Sequence, residues 1–126
     1  MTQKGPVLII DDDEWLASCY KTLLEAAGYT VQVARHALEA MERISHALPK
    51  AIVLDIFMAG PNGIVFLHEL RSHTDLSQIP VIVCSNSVPE LRMAPLESYG
   101  VVRLLDKTTM QPQDVVTAVR GVVQNE

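Results

Sequence analysis

The sequence predicts a single-domain α/β protein in which helices cover both faces of a parallel β-sheet. Short, continuous apolar runs such as Val7–Ile10 and Ala51–Leu54 recur along the chain, and such runs are typical of strands buried on both faces. Segments with apolar residues at helical spacing separate these runs. Strands that alternate with helices build βαβ units, which form parallel sheets. The length of 126 residues suits one domain, and the sequence contains no repeat, low-complexity stretch or linker.

The first strand–helix–strand unit has clear boundary signals. After the strand Val7–Ile10, Asp13 is placed to cap a helix, and Glu14 suits the positive end of the helix dipole. The helix should end at Gly28, because glycine commonly terminates helices. The next segment, Tyr29–Ala34, alternates apolar and polar residues, which predicts an edge strand with one face toward solvent.

The rest of the chain continues the alternation of helices and strands. A second helix should end before Pro49, and its apolar face is predicted to consist of Leu38, Met41, Ile44 and Leu48. The remaining predicted elements are, in order, the strand Ala51–Leu54, a helix through Ile64, Leu67 and Leu70, the strand Ile79–Cys84, a helix at Pro89–Tyr99, the strand Val101–Leu105 and a helix at Gln113–Val123. The helix at 89–99 is the least regular, because Pro95 inside it should kink or shorten it.

Composition and charge argue against several classes of function. The formal net charge is −5 and no cluster of Lys and Arg is present, which argues against direct binding of nucleic acid. No apolar run approaches the roughly 18 residues of a membrane span, and the N-terminus lacks the features of a signal peptide. We therefore expect a cytoplasmic protein without a membrane partner, in which Cys19 and Cys84 are buried, reduced thiols.

Polar residues stand directly after four of the predicted strands. Asp11 and Asp12 follow the first strand, Asp55 the third, Ser85 the fourth, and Lys107 comes just after the fifth. In a parallel α/β sheet the working site lies beyond the carboxyl ends of the strands. We therefore expect three carboxylates, one hydroxyl and one ammonium group to converge on one rim of the sheet.

The composition of this rim suits phosphoryl transfer with Mg²⁺. Three carboxylates repel one another but supply the oxygen ligands that Mg²⁺ prefers. Asp55 stands alone after the central strand and is the natural nucleophile, while Lys107 and the hydroxyl of Ser85 can stabilise charge on phosphate oxygens. Asp13 and Glu14 are instead interpreted as the cap and first turn of the following helix. The acidic run DDDE therefore divides into two parts with separate functions.

With these residues in place, the sequence resembles the receiver (response regulatory) domain of two-component signal transduction systems, expected over residues 5–124. The matching positions are the acidic pair Asp11 and Asp12, the phosphoacceptor Asp55, Met58 and Gly63 in the motif DIFMAGPNG, Ser85, and Lys107. Each of these motifs is weak by itself, whereas the set is highly specific. The resemblance implies a flavodoxin-like (βα)5 fold, a doubly wound parallel sheet with strand order 2-1-3-4-5.

The resemblance also implies a phosphorylation switch in a response regulator, which is not an enzyme beyond the chemistry at its own aspartate. A sensor histidine kinase or a histidine phosphotransfer protein would donate a phosphoryl group to Asp55 in the presence of Mg²⁺. The metal would be held by Asp11, Asp12, Asp55 and the backbone carbonyl of Phe57, some of them through water.

The same resemblance implies how the signal would leave the domain. Ser85 and Lys107 would follow the phosphate, with Ser85 and Leu104 as switch positions. The face formed by the predicted fourth helix, the fifth strand and the last helix would then change its binding partner, a downstream output protein or domain. Phe57 and Ser87 lie where the family tunes attack by water on the phosphorylated aspartate, and their side chains predict slow loss of the phosphoryl group.

The sequence departs from the family pattern at several positions near the rim. Leu104 stands where an aromatic residue is usual, Asn86 stands where a small residue is usual, and Ala59 replaces a proline. Thr108 follows Lys107 where the family has a proline in a cis bond. A cis bond before a residue other than proline costs roughly 3 to 4 kcal/mol, so the approach of Lys107 should differ. We predict that the phosphorylation chemistry is retained and that its coupling to output is atypical.

Two other classes of function remain open from the residues. The first is a phosphorylation-independent pseudo-receiver that acts as a protein-interaction module, which Leu104, Thr108 and Asn86 favour. The second is a Mg²⁺-dependent phosphatase with an Asp nucleophile. Such enzymes usually carry D-x-D after a strand, and the position two residues after Asp55 is Phe57, which argues against this class. A nucleotide-binding fold is weaker still, because no glycine-rich phosphate-binding motif is present.

Overall fold

The computed structural model describes residues 4–56, 63–86 and 96–123. Its strands are β1 (Lys4–Ile10), β2 (Tyr29–Ala34), β3 (Ala51–Leu54), β4 (Val81–Ser85) and β5 (Val101–Asp106). The helices within the described ranges are α1 (Glu14–Ala26), α2 (Ala37–His46), α3 (Gly63–Arg71) and α4 (Gln113–Val122). All neighbouring strands are parallel and their order is β2-β1-β3-β4-β5. This arrangement confirms the predicted doubly wound fold and its strand order.

The fourth strand begins two residues later than the predicted Ile79–Cys84. Pro80 has no N–H to donate to a sheet, and its carbonyl accepts a hydrogen bond from the backbone N–H of Ile52 at 3.0 Å. Regular pairing therefore starts at Val81. At its other end β4 includes Ser85, so this predicted site residue belongs to the strand and is held by the sheet itself.

Only the end of the helix predicted at Pro89–Tyr99 falls within the described residues. Residues 96 and 97 are helical, and the backbone N–H of Gly100 donates to the carbonyl of Glu97 at 3.1 Å. Gly100 has a φ of +88°, a left-handed conformation that favours glycine, and it leads the chain into β5. Pro95, which should shorten this helix, lies outside the described residues.

Two hydrophobic cores lie on opposite faces of the sheet. Because successive side chains of a strand point to opposite faces, Leu8 and Ile10 pack on the side of α2 and α3, whereas Val7 and Ile9 pack on the side of α1 and α4. All four side chains are buried. The central strands are therefore fixed from both sides, and their carboxyl ends form a rigid edge.

The N-terminal boundary of α1 agrees with the prediction. Asp13 is the N-cap residue, and its Oδ1 accepts a hydrogen bond from the backbone N–H of Leu16 at 3.0 Å. Glu14 occupies the first turn. After the helix, Gly28 has a φ of +102°, which explains why the chain can leave the helix there.

The apolar face predicted for the second helix was partly wrong. The buried residues of α2 are Ala37, Ala40 and Ile44, whereas Leu38 and Leu48 are 75% and 52% exposed. Leu38 directly follows Ala37 and is therefore rotated by about 100° away from the buried face. The helix ends at His46, and Leu48 lies beyond it, where the following proline disfavours helical backbone.

None of the helices in the described part of the chain has the length and apolar character needed to cross a membrane.

Candidate functional site

The backbone of the sheet places the predicted site residues along one edge. Asp11 and Asp55 follow β1 and β3 directly, Ser85 ends β4, and Lys107 follows β5. Backbone hydrogen bonds join neighbouring strands at this edge: the N–H of Asp55 donates to the carbonyl of Ile10 at 2.9 Å, and the N–H of Lys107 donates to the carbonyl of Ser85 at 2.9 Å. The side chains at this edge are thus carried by paired strand ends, which are more rigid than loops.

Three carboxylates meet at this edge. One oxygen from each of Asp11, Asp12 and Asp55 lies within 4.8 Å of the others. Asp11 and Asp55 are 2% and 8% exposed, while Asp12 is exposed to solvent. Two like charges about 4 Å apart repel by about 1 kcal/mol in water and by about 4 kcal/mol at the effective dielectric of a partly buried site. The cluster therefore favours a cation, and its oxygen ligands suit a hard divalent metal ion.

Lys107 supplies a positive charge between two of these carboxylates. Its Nζ lies 2.9 Å from Oδ2 of Asp11 and 3.5 Å from Oδ2 of Asp55, and its side chain is 9% exposed. Burial by itself lowers the pKa of Lys107. The hydrogen bond to Asp11 and the charges of Asp11 and Asp55 outweigh burial, so the pKa is raised above that of an ordinary lysine. The lysine is therefore a stable cation at neutral pH.

Asp11 is held by hydrogen bonds at both of its oxygens. Oδ1 accepts a hydrogen bond from the backbone N–H of Asp13 at 2.9 Å, and Oδ2 accepts one from the ammonium of Lys107. Asp13 uses its own side chain to cap α1, and Glu14 lies 3.4 Å from the exposed guanidinium of Arg35. The acidic run DDDE is thus divided, as predicted, between the three-carboxylate cluster and the start of a helix.

Ser85 and Leu104 occupy neighbouring strands at and near the edge. Ser85 is fully buried at the end of β4, and the following Asn86 is exposed. Leu104 is partly buried on β5 and packs against the core on the side of α2 and α3. Their places are those that the sequence predicted, while their roles as switch residues remain predictions.

Two buried titratable side chains lie beneath the edge. Burial raises the pKa of the Cys84 thiol to about 12. The charge of Lys107 acts in the opposite direction, and the charges of Asp11 and Asp55 raise this pKa further. Burial likewise raises the pKa of the Tyr20 hydroxyl. Both groups are neutral at pH 7, so they add no charge to the cluster. Cys84 is buried as predicted, whereas Cys19 is only partly buried, so the prediction of two buried thiols was half right.

Sequence reasoning missed the contribution of Asp106. Its Oδ1 accepts the backbone N–H of Thr108 at 2.9 Å and the hydroxyl of Thr108 at 2.6 Å, which forms a hydrogen-bonded turn around Lys107. The peptide bond before Thr108 is trans, as are all the others in the described ranges. Such a turn is typical where a strand is followed by an Asp and, two residues later, a Thr. This spacing was the signal in the sequence that could have identified the turn.

Several residues of the predicted site lie outside the described residues. They are Phe57, whose carbonyl was expected to bind the metal, together with Met58, Ala59 and Ser87.

The family model of the response regulator receiver domain matches residues 7–120 of this chain. Among the similar curated proteins, the response regulator MprA of Mycobacterium ulcerans is 36% identical over 92 residues, which are 73% of this chain and 39% of that protein. MprA of Mycobacterium avium is 34% identical over 92 residues, 73% of this chain and 40% of that protein. The matched part of the chain thus spans about two fifths of the length of these relatives.

Solved structures resemble the fold over nearly its whole length. A candidate response regulator from Chloroflexus aurantiacus has a TM-score of 0.84 at 27% identity, covering 96% of this chain and 98% of that chain. Chemotaxis protein CheY4 of Vibrio cholerae has a TM-score of 0.85 at 21% identity, covering 94% of this chain and 98% of that chain. The second likeness supports the fold alone.

Proposed function

The chain belongs to the response regulator receiver domain family, and from this premise we propose that Asp55 is the acceptor of a phosphoryl group in a two-component signalling reaction. The observation that carries the proposal is the position of the Lys107 ammonium, which contacts both Asp11 and Asp55 beside the three-carboxylate cluster. A cation placed beforehand next to a carboxylate nucleophile is the arrangement that phosphoryl transfer requires.

The position of Asp55 after the central strand and its greater exposure favour it over Asp11 as the nucleophile. Asp11 is fixed at both oxygens by Asp13 and Lys107, and it is 2% exposed. Asp55 follows the central strand β3 and keeps more surface at the edge, with 8% exposure. We therefore assign the carboxylate of Asp55 to the attack on phosphorus and that of Asp11 to binding of the cation and orientation of Lys107.

The reaction we propose is a direct displacement. An oxygen of Asp55 forms a bond to phosphorus while the bond between phosphorus and the histidine nitrogen of the donor breaks. The electron pair of the broken bond stays on the imidazole, which takes up a proton from solvent. Lys107 stays protonated and stabilises charge on a phosphoryl oxygen, and the hydroxyl of Ser85 donates a hydrogen bond to another.

We propose Mg²⁺ as the metal of this site, because three carboxylates form the hard oxygen environment it prefers. Asp11, Asp12 and Asp55 would hold it, with the backbone carbonyl of Phe57 as a further ligand. When bound, Mg²⁺ would neutralise charge on the phosphoryl oxygens.

The proposed partners follow from the family. The donor would be a sensor histidine kinase or a histidine phosphotransfer protein, and the receiver would pass the signal to a downstream output protein or domain through Ser85 and Leu104. We propose a cytoplasmic location, where the thiols of Cys19 and Cys84 would remain reduced. We propose no direct contact with nucleic acid or with a membrane.

Leu104 favours a second candidate function. It is an aliphatic, partly buried residue at the switch position, so phosphorylation-independent binding of a partner is the alternative. The substitution Asp55→Asn discriminates the two: it should abolish regulated partner binding in a phosphorylation switch and leave binding unchanged in a pseudo-receiver.

The experiment that tests the proposal is intact mass spectrometry after incubation with Mg²⁺ and a small acyl phosphate donor. Wild-type protein should gain the mass of one phosphoryl group, and Asp55→Asn should gain none. The matched control is Asp75→Asn, which removes an exposed carboxylate in the turn region after α3 and should behave like wild type. Absence of the mass gain in wild type, or its persistence in Asp55→Asn, would contradict the proposal.

A further inference from the structure

The backbone at Lys107 changes from strand to turn at the residue that bears the site's cation. The N–H of Lys107 still donates to the carbonyl of Ser85 on β4, at 2.9 Å. One residue later the chain has left the sheet, because the N–H of Thr108 donates to the side chain of Asp106 instead. The direction of the Lys107 side chain therefore depends on how this turn is held.

Asp106 holds the turn with both its side chain and its backbone carbonyl. Its Oδ1 accepts two hydrogen bonds from Thr108, and its backbone carbonyl accepts the N–H groups of Thr109 at 3.1 Å and Met110 at 2.9 Å. The ring that Oδ1 closes with the N–H of Thr108 encloses Lys107, which constrains the backbone dihedral angles of that residue. The hydroxyl of Thr108 adds a second short contact to the same oxygen, at 2.6 Å.

The distances at the other end of the lysine show why this constraint matters. Nζ lies 2.9 Å from Asp11 and 3.5 Å from Asp55, so a rotation of the backbone at Lys107 would move the ammonium out of range of at least one carboxylate. Misplacement of a reacting or stabilising group by about 1 Å can reduce a rate on the order of a hundredfold.

We propose that Asp106 is a positioning residue for Lys107, and that its hydrogen bonds to Thr108 direct the lysine ammonium to Asp11 and Asp55. The effect on reaction rate rests on the proposed phosphoryl transfer, whereas the effect on Lys107 itself does not. Asp106 acts through the backbone of the turn and does not touch the phosphoryl group.

The variants that test this proposal are Asp106→Ala, which removes both acceptor bonds, and Asp106→Asn, which keeps an oxygen that can accept them. Thr108→Val removes the hydroxyl bond and keeps the backbone N–H. The matched control is Asp114→Ala, because Asp114 accepts the backbone N–H of Gln111 at 2.9 Å in the same connection. Thermal unfolding of each variant reports whether it is folded.

Two readouts separate positioning from stability. The first is the NMR spectrum of protein with ¹³Cε-labelled lysine, which is simple because the chain has only Lys4, Lys21, Lys50 and Lys107. The Lys107 signal is identified by its loss in Lys107→Arg. The second readout is the initial rate of phosphoryl uptake from a small acyl phosphate donor with Mg²⁺.

In Asp106→Ala the Lys107 signal should move toward those of the other lysines, and the uptake rate should fall about tenfold. Thr108→Val should change both readouts less. Asp106→Asn should keep both at the wild-type value, and Asp114→Ala should change neither. Three results would overturn the proposal. The first is an unshifted Lys107 signal in folded Asp106→Ala, and the second is an unchanged uptake rate despite a shifted signal. The third is a loss of uptake rate in Asp114→Ala equal to that in Asp106→Ala. If wild-type protein takes up no phosphoryl group, the proposed function fails, and the Lys107 signal alone decides whether Asp106 positions the lysine.

Discussion

The ammonium nitrogen of Lys107 lies 2.9 Å from Oδ2 of Asp11, and both side chains are nearly buried, at 9% and 2% exposure. A buried ion pair of this kind is costly to break from one side, because the remaining charge loses its partner without regaining water. Here the remaining charge would also face the carboxylates of Asp12 and Asp55. The pair therefore couples the stability of the fold to the charge of the site.

Replacing Lys107 by methionine should destabilise the protein in the absence of divalent metal. We expect a loss of about 3 kcal/mol in the free energy of unfolding, because the buried carboxylate of Asp11 loses its cation. Addition of Mg²⁺ should restore part of this loss by binding the folded state. Urea unfolding with and without Mg²⁺ measures both effects. Lys21→Met on α1 is the control. An equal loss of unfolding free energy in this variant would contradict a stabilising ion pair between Lys107 and Asp11.

The two halves of the acidic run should respond differently to substitution. Asp12→Ala should weaken Mg²⁺ binding and slow phosphorylation, because it removes an exposed carboxylate of the cluster. Asp13→Ser should leave both nearly unchanged, because serine is also a good N-cap residue. The fluorescence of Trp15, the single tryptophan and 73% exposed, can report the Mg²⁺ titration. Similar Mg²⁺ affinity in Asp12→Ala and wild type would contradict the metal assignment.

Cys84 should make stability depend on alkaline pH. Burial raises the pKa of its thiol to about 12, compared with an ordinary value of 9.0. The unfolded chain therefore releases the thiol proton at a lower pH than the folded protein, and the contribution to stability is lost as pH rises from about 9 toward 12. Between about pH 8 and pH 11, the free energy of unfolding should therefore fall less steeply with rising pH in Cys84→Ala than in wild type. An equal slope in Cys84→Ala and wild type would contradict the prediction.

Leu104 should affect stability without affecting the chemistry. It packs against the core from β5, and Leu104→Ala should lower the free energy of unfolding by about 2 kcal/mol. The initial rate of phosphoryl uptake should stay at the wild-type value, because Leu104 lies outside the cluster of charged side chains. Val102→Ala on the same strand, where the side chain is 43% exposed, should change stability much less. A strongly reduced uptake rate in folded Leu104→Ala would place this residue in the site itself.

Much of the fold could be predicted because the central strands are buried on both faces. The runs Val7–Ile10 and Ala51–Leu54 are apolar at every position, and an aspartate directly follows each of them. In a parallel sheet the two ends must lie on the same edge, so the meeting of Asp11 and Asp55 followed from topology. The cap at Asp13 was predictable because it depends on only three neighbouring residues.

Other features depend on three-dimensional packing that the sequence pattern does not contain. Leu38 fits a helical apolar pattern, yet the start of α2 at Ala37 turns it toward solvent. The direct contact of Lys107 with Asp11 joins residues 96 positions apart, and no local rule predicts its distance. Asp106 was overlooked because its role lies in a local turn, and its importance appears only when the lysine inside that turn is seen to reach the carboxylates.

Chemical mapping of the phosphorylated residue tests most directly whether Asp55 accepts the phosphoryl group. Wild-type protein is incubated with Mg²⁺ and a small acyl phosphate donor, treated with borohydride, which converts an aspartyl phosphate into homoserine, and digested for peptide mass spectrometry. We expect homoserine at position 55 and unmodified aspartate at positions 11 and 12. Homoserine at position 11 or 12, or at none of the three, would contradict it.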